Sequence, residues 1–195
     1  MGSVVYSMTV SLDGFIAGPD GAIDWSEPDA ELFEFHTQRL RETGAQLCGR
    51  RLYETMLYWE TAEEGSLPPG HAEFARLWKA LPKVVFSTGL ESVTGNCRLL
   101  RGGVAEEVSR LKREPGRDIA VGGAGLAGAC MQHGLIDEWE LFVAPVLLGG
   151  GTPYFLALDR RVSMEPVETR VFPSRVVHLR YRRRQDGPQA AARPT

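Results

Sequence analysis

A predicted strand that stops at paired glycines is the strongest chemical signal in this sequence. Residues 118–121 (DIAV) precede Gly122 and Gly123, and a helix is predicted from about residue 124 to 133. Glycine lets a backbone approach a ligand closely, and the free N–H groups of a helix N-terminus attract phosphate. The segment therefore fits a dinucleotide pyrophosphate, although close packing of a glycine-rich helix on a sheet produces the same pattern.

The same segment satisfies the spacing G-x-G-x-x-G through Gly123, Gly125 and Gly128. In a Rossmann domain that fingerprint opens the first βαβ unit, and an acidic residue at the end of the next strand binds the ribose. Here the fingerprint lies late in the chain, and the next strand ends in FVAP at 142–145, without an acid. A Rossmann domain is therefore disfavoured.

Cationic and hydroxyl side chains follow two other predicted strands. Gly49, Arg50 and Arg51 connect a strand to its helix, and Ser87 and Thr88 close the strand of residues 83–87. Ligands of open α/β sheets bind beyond the carboxyl ends of the strands, and the fork of an arginine suits a phosphate monoester. These residues could bind the 2′-phosphate of NADP, or they are solvated arginines and ordinary turn residues.

The histidines and cysteines form no pattern typical of catalysis or metal binding. Cys48, Cys97 and Cys130 are widely separated, without a C-x-x-C pair, which favours free thiols in a reducing compartment. The nucleophile motif G-x-S-x-G is missing from the sequence. We expect no metal site, no serine-hydrolase chemistry and a cytoplasmic location.

Strand-like and helix-like segments alternate along most of the chain. Residues 4–10 are β-branched or aromatic and predict a first strand, and apolar spacing over about 29–43 predicts a first helix. The final third is rich in strands. Further strands are predicted at 45–48, 83–87, 98–100, 118–121, 139–144, 167–172 and 176–181, and further helices at 50–59, 71–79, 104–113 and 124–133.

This order predicts a doubly wound α/β domain, with a mostly parallel central sheet flanked by helices on both faces. The last strands form a hairpin and are expected to be antiparallel at one edge. We expect one domain over residues 1–184. Residues 185–195 are rich in Ala, Pro and Gln, and are predicted to form a disordered tail.

The composition excludes several classes of protein. With 43% hydrophobic residues, the 195-residue chain can bury a continuous core, and a formal charge of -3 gives no basic field for nucleic acid. No apolar run approaches the roughly 18 residues of a membrane span, and the N-terminus shows no secretion signal. We expect a protein that binds a small molecule, and neither nucleic acid nor a membrane.

Four segments in chain order resemble the dihydrofolate reductase superfamily. More narrowly, they resemble the reductase domain of the bifunctional riboflavin-biosynthesis enzyme and its small stand-alone relatives. The match covers roughly residues 4 to 181, and although each motif is weak alone, four in register are specific. The segments are SLDGFIA at 11–17, LCGRRLYET at 47–55, VGG at 121–123, and GLIDE through APVLLGGG at 134–151.

The resemblance implies a dihydrofolate-reductase-like fold, NADPH as hydride donor, and a homodimer. Arg50, Ser87 and Thr88 would lie near the 2′-phosphate, and Leu52 stands where many folate reductases have a threonine that contacts phosphate. The resemblance also implies a cis Gly122–Gly123 peptide. The cofactor contacts that we expect are Ile16, Ala17, Gly49, Arg50, Arg51, Ser87, Thr88, Gly122, Gly123, Ala124, Gly125 and Leu126.

On the substrate side, folate reductases use a carboxylate on the first helix, shortly after a tryptophan, to support protonation. Asp24, Trp25 and Asp29 resemble that arrangement, with Asp29 the better positional match, and Phe33 would face the substrate. A carboxyl in such a cleft would have its pKa raised by burial, which suits proton transfer near neutral pH. Alternatively, Asp29 caps the helix, Asp24 lies in a turn and Phe33 belongs to the core.

The resulting hypothesis is an NADPH-dependent reductase of a small heterocyclic or imine-type substrate. Two alternatives stay open within the sequence. The chain could be an authentic dihydrofolate reductase or 5-amino-6-(5-phosphoribosylamino)uracil reductase, although no second cationic cluster for a ribosyl phosphate can be assigned. It could also be a non-catalytic nucleotide-binding module, because fold does not fix function, and a flavin could replace the nicotinamide.

Overall fold

The computed structural model describes residues 2–184, and the predicted tail at 185–195 lies outside them. Within the described residues there are five α-helices and ten strands. The helices are α1 (Ala30–Glu42), α2 (Arg50–Thr61), α3 (Pro69–Ala80), α4 (Val104–Arg113) and α5 (Ala124–Gln132). The strands are β1 (Val4–Ser11), β2 (Phe15–Ala17), β3 (Thr43–Gly49), β4 (Lys83–Phe86), β5 (Cys97–Leu100), β6 (Asp118–Gly122), β7 (Glu138–Ala144), β8 (Thr152–Pro153), β9 (Met164–Val171) and β10 (Val177–Arg183).

Eight strands form one sheet in the order β5-β4-β3-β6-β1-β7-β10-β9. The first six are parallel, and β10 pairs antiparallel with both β7 and β9. The predicted fold class is therefore confirmed: a dihydrofolate-reductase-like, mostly parallel α/β sheet with antiparallel C-terminal edge strands.

Two layers of helices cover the sheet. One face carries α4 and α5, which pack on β1, β3 and β6 around fully buried Tyr6, Val121 and Trp139. The opposite face carries α1, α2 and α3, with two further apolar clusters centred on Trp78 and on Phe142. Because both faces of the sheet are covered, the sequences of the central strands are nearly continuous runs of apolar residues.

The strand order reverses between β3 and β6. After β3 the chain continues through α2 and α3 to β4 on one side, whereas after β6 it continues through α5 towards β7 on the other. Crossovers between parallel strands are right-handed, so helices that lead in opposite directions lie on opposite faces. A crevice therefore opens beyond the carboxyl ends of β3 and β6, where doubly wound sheets bind ligands.

One element was not predicted from the sequence. The short strands β2 and β8 pair antiparallel in a separate two-stranded sheet, which joins residues 15–17 to residues 152–153. Neither strand is long enough to produce an alternating pattern, so their pairing is a consequence of tertiary structure. This small sheet forms one wall of the site described next.

Candidate functional site

A cavity of about 1050 Å³ opens at the crevice between β3 and β6. Nine of the twelve predicted cofactor contacts line it, and they come from the small β2–β8 sheet and from the first turns of α2 and α5. The structure thus brings together segments that are up to 110 residues apart in the chain. These nine residues are Ile16, Ala17, Gly49, Arg50, Arg51, Gly123, Ala124, Gly125 and Leu126.

The two helices that point at this cavity begin without a side-chain cap. The N-cap residue of α2 is Gly49 and that of α5 is Gly123, and neither has a side chain that could accept a hydrogen bond from the first turn. The N–H groups at a helix N-terminus have no partner within the helix, and the helix dipole favours an anion there. Two converging helix N-termini beside Arg50 and Arg51 can therefore hold phosphate groups.

Two glycines shape the walls of the cavity. Gly123 has a φ of +93°, which turns the chain from β6 into α5, and Gly151 has a φ of +128°. A Cβ on Gly151 would lie 2.0 Å from the carbonyl oxygen of Ala17, so only glycine allows β8 to approach β2.

The Gly122–Gly123 peptide is trans, and residues 2–184 contain no cis peptide bond. The cis peptide expected from the resemblance is therefore wrong for this structure.

Asp13 fastens the loop after β1 to the loop before β8. Its carboxylate accepts hydrogen bonds from the Ser11 hydroxyl (2.6 Å) and from the backbone N–H groups of Leu148 and Gly149. The hydrogen bond from Ser11, together with those two backbone groups, lowers the pKa of Asp13. The resulting bridge joins the segment that precedes β2 to the segment that precedes β8.

The other three predicted cofactor residues lie beside the cavity but do not line it. Ser87 follows β4, which neighbours β3, and its hydroxyl accepts hydrogen bonds from the N–H groups of Gly89 and Leu90. Thr88 accepts a hydrogen bond from Arg101 through its carbonyl oxygen, at 2.9 Å. Gly122 packs against Leu52, and a Cβ at position 122 would lie only 2.1 Å from Cδ2 of Leu52.

Asp29 is the N-cap of α1. One carboxylate oxygen accepts the N–H of Leu32 (2.8 Å) and the other accepts the N–H of Ser174 (2.6 Å). Led by the bond from Leu32, these contacts lower the pKa of Asp29 rather than raise it. In this structure the side chain therefore ties the start of α1 to the turn between β9 and β10.

The remaining substrate-side residues are dispersed. Asp24 is exposed in a 3-10 turn of residues 24–26, and Trp25 packs on the apolar cluster around Phe142. The ring centroids of Phe33 and Phe74 are 5.3 Å apart, and Phe33 also contacts Trp59 and His71. Among the residues that the structure describes, neither these three nor Asp29 line the cavity.

A second cavity, of about 290 Å³, lies between the sheet and helices α1, α2 and α3. It shares Met8 and Leu52 with the larger cavity, so the two spaces adjoin. Sequence reasoning missed it, although polar residues within otherwise apolar strands were a signal. Its polar lining includes Ser7, Thr9, His36, Arg39, Gln46 and Glu140.

Glu140 is buried at this second cavity and is fully paired. It accepts hydrogen bonds from Ser7 (2.8 Å) and Arg39 (2.8 Å), and it lies 2.9 Å from Nε2 of His178. Burial opposes its charge, but the His178 hydrogen bond and the Arg39 cation outweigh burial and lower its pKa to about 2. Burial lowers the pKa of neighbouring His36 to about 4, so that ring is neutral at pH 7.

Residues 2–184 contain neither a candidate metal site nor a membrane-spanning helix. That part of the chain holds no cluster of histidine, cysteine and acidic side chains suited to a metal ion. Its helices also include none with the length and apolarity to cross a bilayer.

The sequence is similar to two proteins of Bacillus subtilis (strain 168). It is 33% identical over 181 residues to the uncharacterized protein YyaP, a match that covers 91% of this chain and 93% of YyaP. It is 31% identical over 181 residues to the uncharacterized protein YwjB, covering 92% of this chain and 96% of YwjB.

The fold is similar to solved structures at lower identity. A protein of Shewanella sp. PV-4, whose name provisionally assigns it to riboflavin biosynthesis, matches with a TM-score of 0.74 and 22% identity, over 95% of this chain and all of that one. RibD of Acinetobacter baumannii matches with a TM-score of 0.64 and 17% identity, over 94% of this chain and 58% of RibD. The profile of the RibD C-terminal domain matches residues 3–178. The chain therefore belongs to the RibD C-terminal domain family.

Proposed function

We propose that this protein is an NADPH-dependent reductase that transfers hydride to a small heterocyclic or imine-type substrate. The observation that carries the proposal is the cavity of about 1050 Å³, in which two uncapped helix N-termini and two arginines converge. Membership of the RibD C-terminal domain family supports a reductase. One solved relative, from Thermotoga maritima, carries 5-amino-6-(5-phosphoribosylamino)uracil reductase in its name.

The residues around the cavity fit a dinucleotide phosphate in size and charge. The first turn of α5, opened by Gly123, would hold the pyrophosphate through backbone N–H groups. The side chain of Arg50 is 54% exposed, and its Nε lies 3.9 Å from Oε1 of Glu54. Because this ion pair is long and exposed, the guanidinium could turn to a 2′-phosphate. Ser87 and Thr88 would stand one strand away from that phosphate.

The proposed roles divide the chemistry between cofactor and protein. Bound NADPH would supply the hydride, and the chain would position the ring and exclude water. Ile16 and Ala17 would line the nicotinamide end, where the larger cavity adjoins the smaller one at Met8 and Leu52. The smaller cavity would thus present the substrate to the nicotinamide.

Substitution of Arg50 tests the cofactor assignment. We expect Arg50→Ala to weaken NADPH binding by about tenfold and NADH binding by much less, because only NADPH carries the 2′-phosphate. Isothermal titration with both nucleotides measures the two affinities.

The matched control is Arg76→Ala. Arg76 is similarly exposed, at 62%, and lies on α3 away from the cavity. Equal loss of NADPH affinity in both variants, or equal loss of NADPH and NADH affinity in Arg50→Ala, would show that Arg50 does not read the 2′-phosphate.

A further inference from the structure

The smaller cavity holds hydrogen-bonding groups that the protein does not use. It is lined by Thr9 from β1, His36 from α1 and Gln46 from β3. Within residues 2–184, no protein group hydrogen-bonds the Thr9 hydroxyl, either ring nitrogen of His36 or Oε1 of Gln46, while Nε2 of Gln46 donates to the carbonyl of Leu47. Polar groups in a largely apolar cavity need partners, so these atoms are available to a ligand.

The rest of the lining is apolar and partly aromatic. Leu40, Met56, Phe74, Trp78 and Phe142 surround the polar groups. A volume of about 290 Å³ lies at the lower end of small-molecule sites. A flat ring with polar edges therefore fits this space better than an extended or flexible ligand.

The charged residues of the lining leave no cation for an anionic ligand. Arg39 is the one basic side chain among them, and it pairs with Glu140 at 2.8 Å and with Glu42 at 2.9 Å. The acidic groups are also engaged, since Asp118 accepts a hydrogen bond from the N–H of Ser3. An unpaired charge in such a place is costly, so a phosphate or carboxylate is disfavoured.

We propose that the smaller cavity binds the reducible ring as an uncharged, unphosphorylated heterocycle with N–H and C=O groups, and that His36 and Gln46 recognise its polar edge. This inference rests on the proposed hydride-transfer function, because the ring must meet the nicotinamide past Met8 and Leu52. A neutral imidazole has one donor and one acceptor, which suits an amide-like edge. Burial keeps His36 in that form by lowering its pKa.

The test uses uracil, orotate and uridine 5′-phosphate as probes. Orotate is the same ring with a carboxylate, and uridine 5′-phosphate adds a phosphoribosyl group. Each is titrated by ligand-observed NMR into the protein saturated with NADP⁺, which blocks the larger cavity. We expect uracil to bind, and orotate and uridine 5′-phosphate to bind at least about tenfold more weakly.

His36 variants locate the probe. We expect His36→Phe, which keeps an aromatic ring beside Phe142, to weaken uracil binding about tenfold, and His36→Gln, which keeps a donor and an acceptor, to restore most of it. Thermal unfolding shows that each variant is folded. Equal uracil binding by His36→Phe, no uracil binding by the wild type, or preference for either anionic probe would overturn the proposal.

The affinity of each variant for NADPH is measured in parallel. If NADPH binds the wild type and uracil does not, the substrate inference fails while the proposed function stands. If NADPH itself does not bind, the proposed function fails first.

Discussion

Asp29 and His36 show why a residue's type does not determine its role. Asp29 is the N-cap of α1 and His36 lies about two turns further along the helix, and a carboxylate at the start of this helix was the group expected to support protonation. The structure gives both oxygens of Asp29 a backbone partner, which favours a helix cap over the protonation role predicted for it. His36, for which the sequence predicted no role, lines a cavity beside the proposed cofactor site.

Substitution of Asp29 separates the two roles. We expect Asp29→Ala to lower the midpoint of thermal unfolding by a few degrees, because α1 loses its cap, and Asp29→Asn to change it little, because asparagine also caps helices. Calorimetry of the two variants measures the difference. Turnover lost in Asp29→Asn at unchanged stability would contradict the cap as its main role and support protonation.

His36 also predicts how stability depends on pH. Burial lowers its pKa from 6.5 to about 4 in the folded state, so below pH 6.5 the unfolded chain takes up a proton that the folded chain does not. The free energy of unfolding should therefore fall as the pH drops from about 6.5 to about 4, by at most about 3 kcal/mol because the ring is partly exposed.

Urea unfolding at a series of pH values measures this dependence. His36→Phe should remove it. The further loss from about pH 4.5 downwards should remain, because Glu140, with its pKa of about 2, and the lowered pKa values of Asp13 and Asp29 contribute to it. A variant that keeps the full slope between pH 6.5 and 4 would show that another group causes it.

At the scale of elements, most of the fold could be predicted from the sequence. The helices α2, α4 and α5 begin at the residues predicted, because each follows glycine after a strand or loop. The small β2–β8 sheet could not be predicted, since it depends on a contact between Ala17 and Gly151 that no local pattern encodes. Helix α3 begins at Pro69, two residues before the prediction, where proline suits a first helical turn.

Gly151 and Gly150 form a matched pair for testing that element. We expect Gly151→Ala to cost about 2 kcal/mol of stability and to weaken NADPH binding about tenfold, because the new Cβ would meet Ala17 and displace the β2 wall. Gly150→Ala should be close to wild type, since its Cβ would meet only Pro19 at 3.7 Å. Similar affinities for NADPH in both variants would mean that β2 does not position the cofactor.

For the whole molecule, the strand order explains where the cavities lie. The reversal between β3 and β6 opens one crevice. Seven of the nine predicted cofactor residues that line it lie on the two connections that leave the sheet at that edge, and the other two, Ile16 and Ala17, come from β2. The sequence could indicate those residues through glycine and arginine after strands. It could not indicate the second cavity, whose polar groups come from β1, α1, β3 and β7 and meet only in the packed sheet. The homodimer expected from the resemblance stays a prediction.

NADPH binding in the larger cavity is the proposal on which the assigned function depends. Titration of the wild-type protein with NADPH, and separately with NADH, can be followed through the fluorescence of its four tryptophans. We expect saturable binding that is at least about tenfold tighter for NADPH, because only that nucleotide offers a 2′-phosphate to Arg50. Binding of neither nucleotide, or equal binding of both, would contradict it.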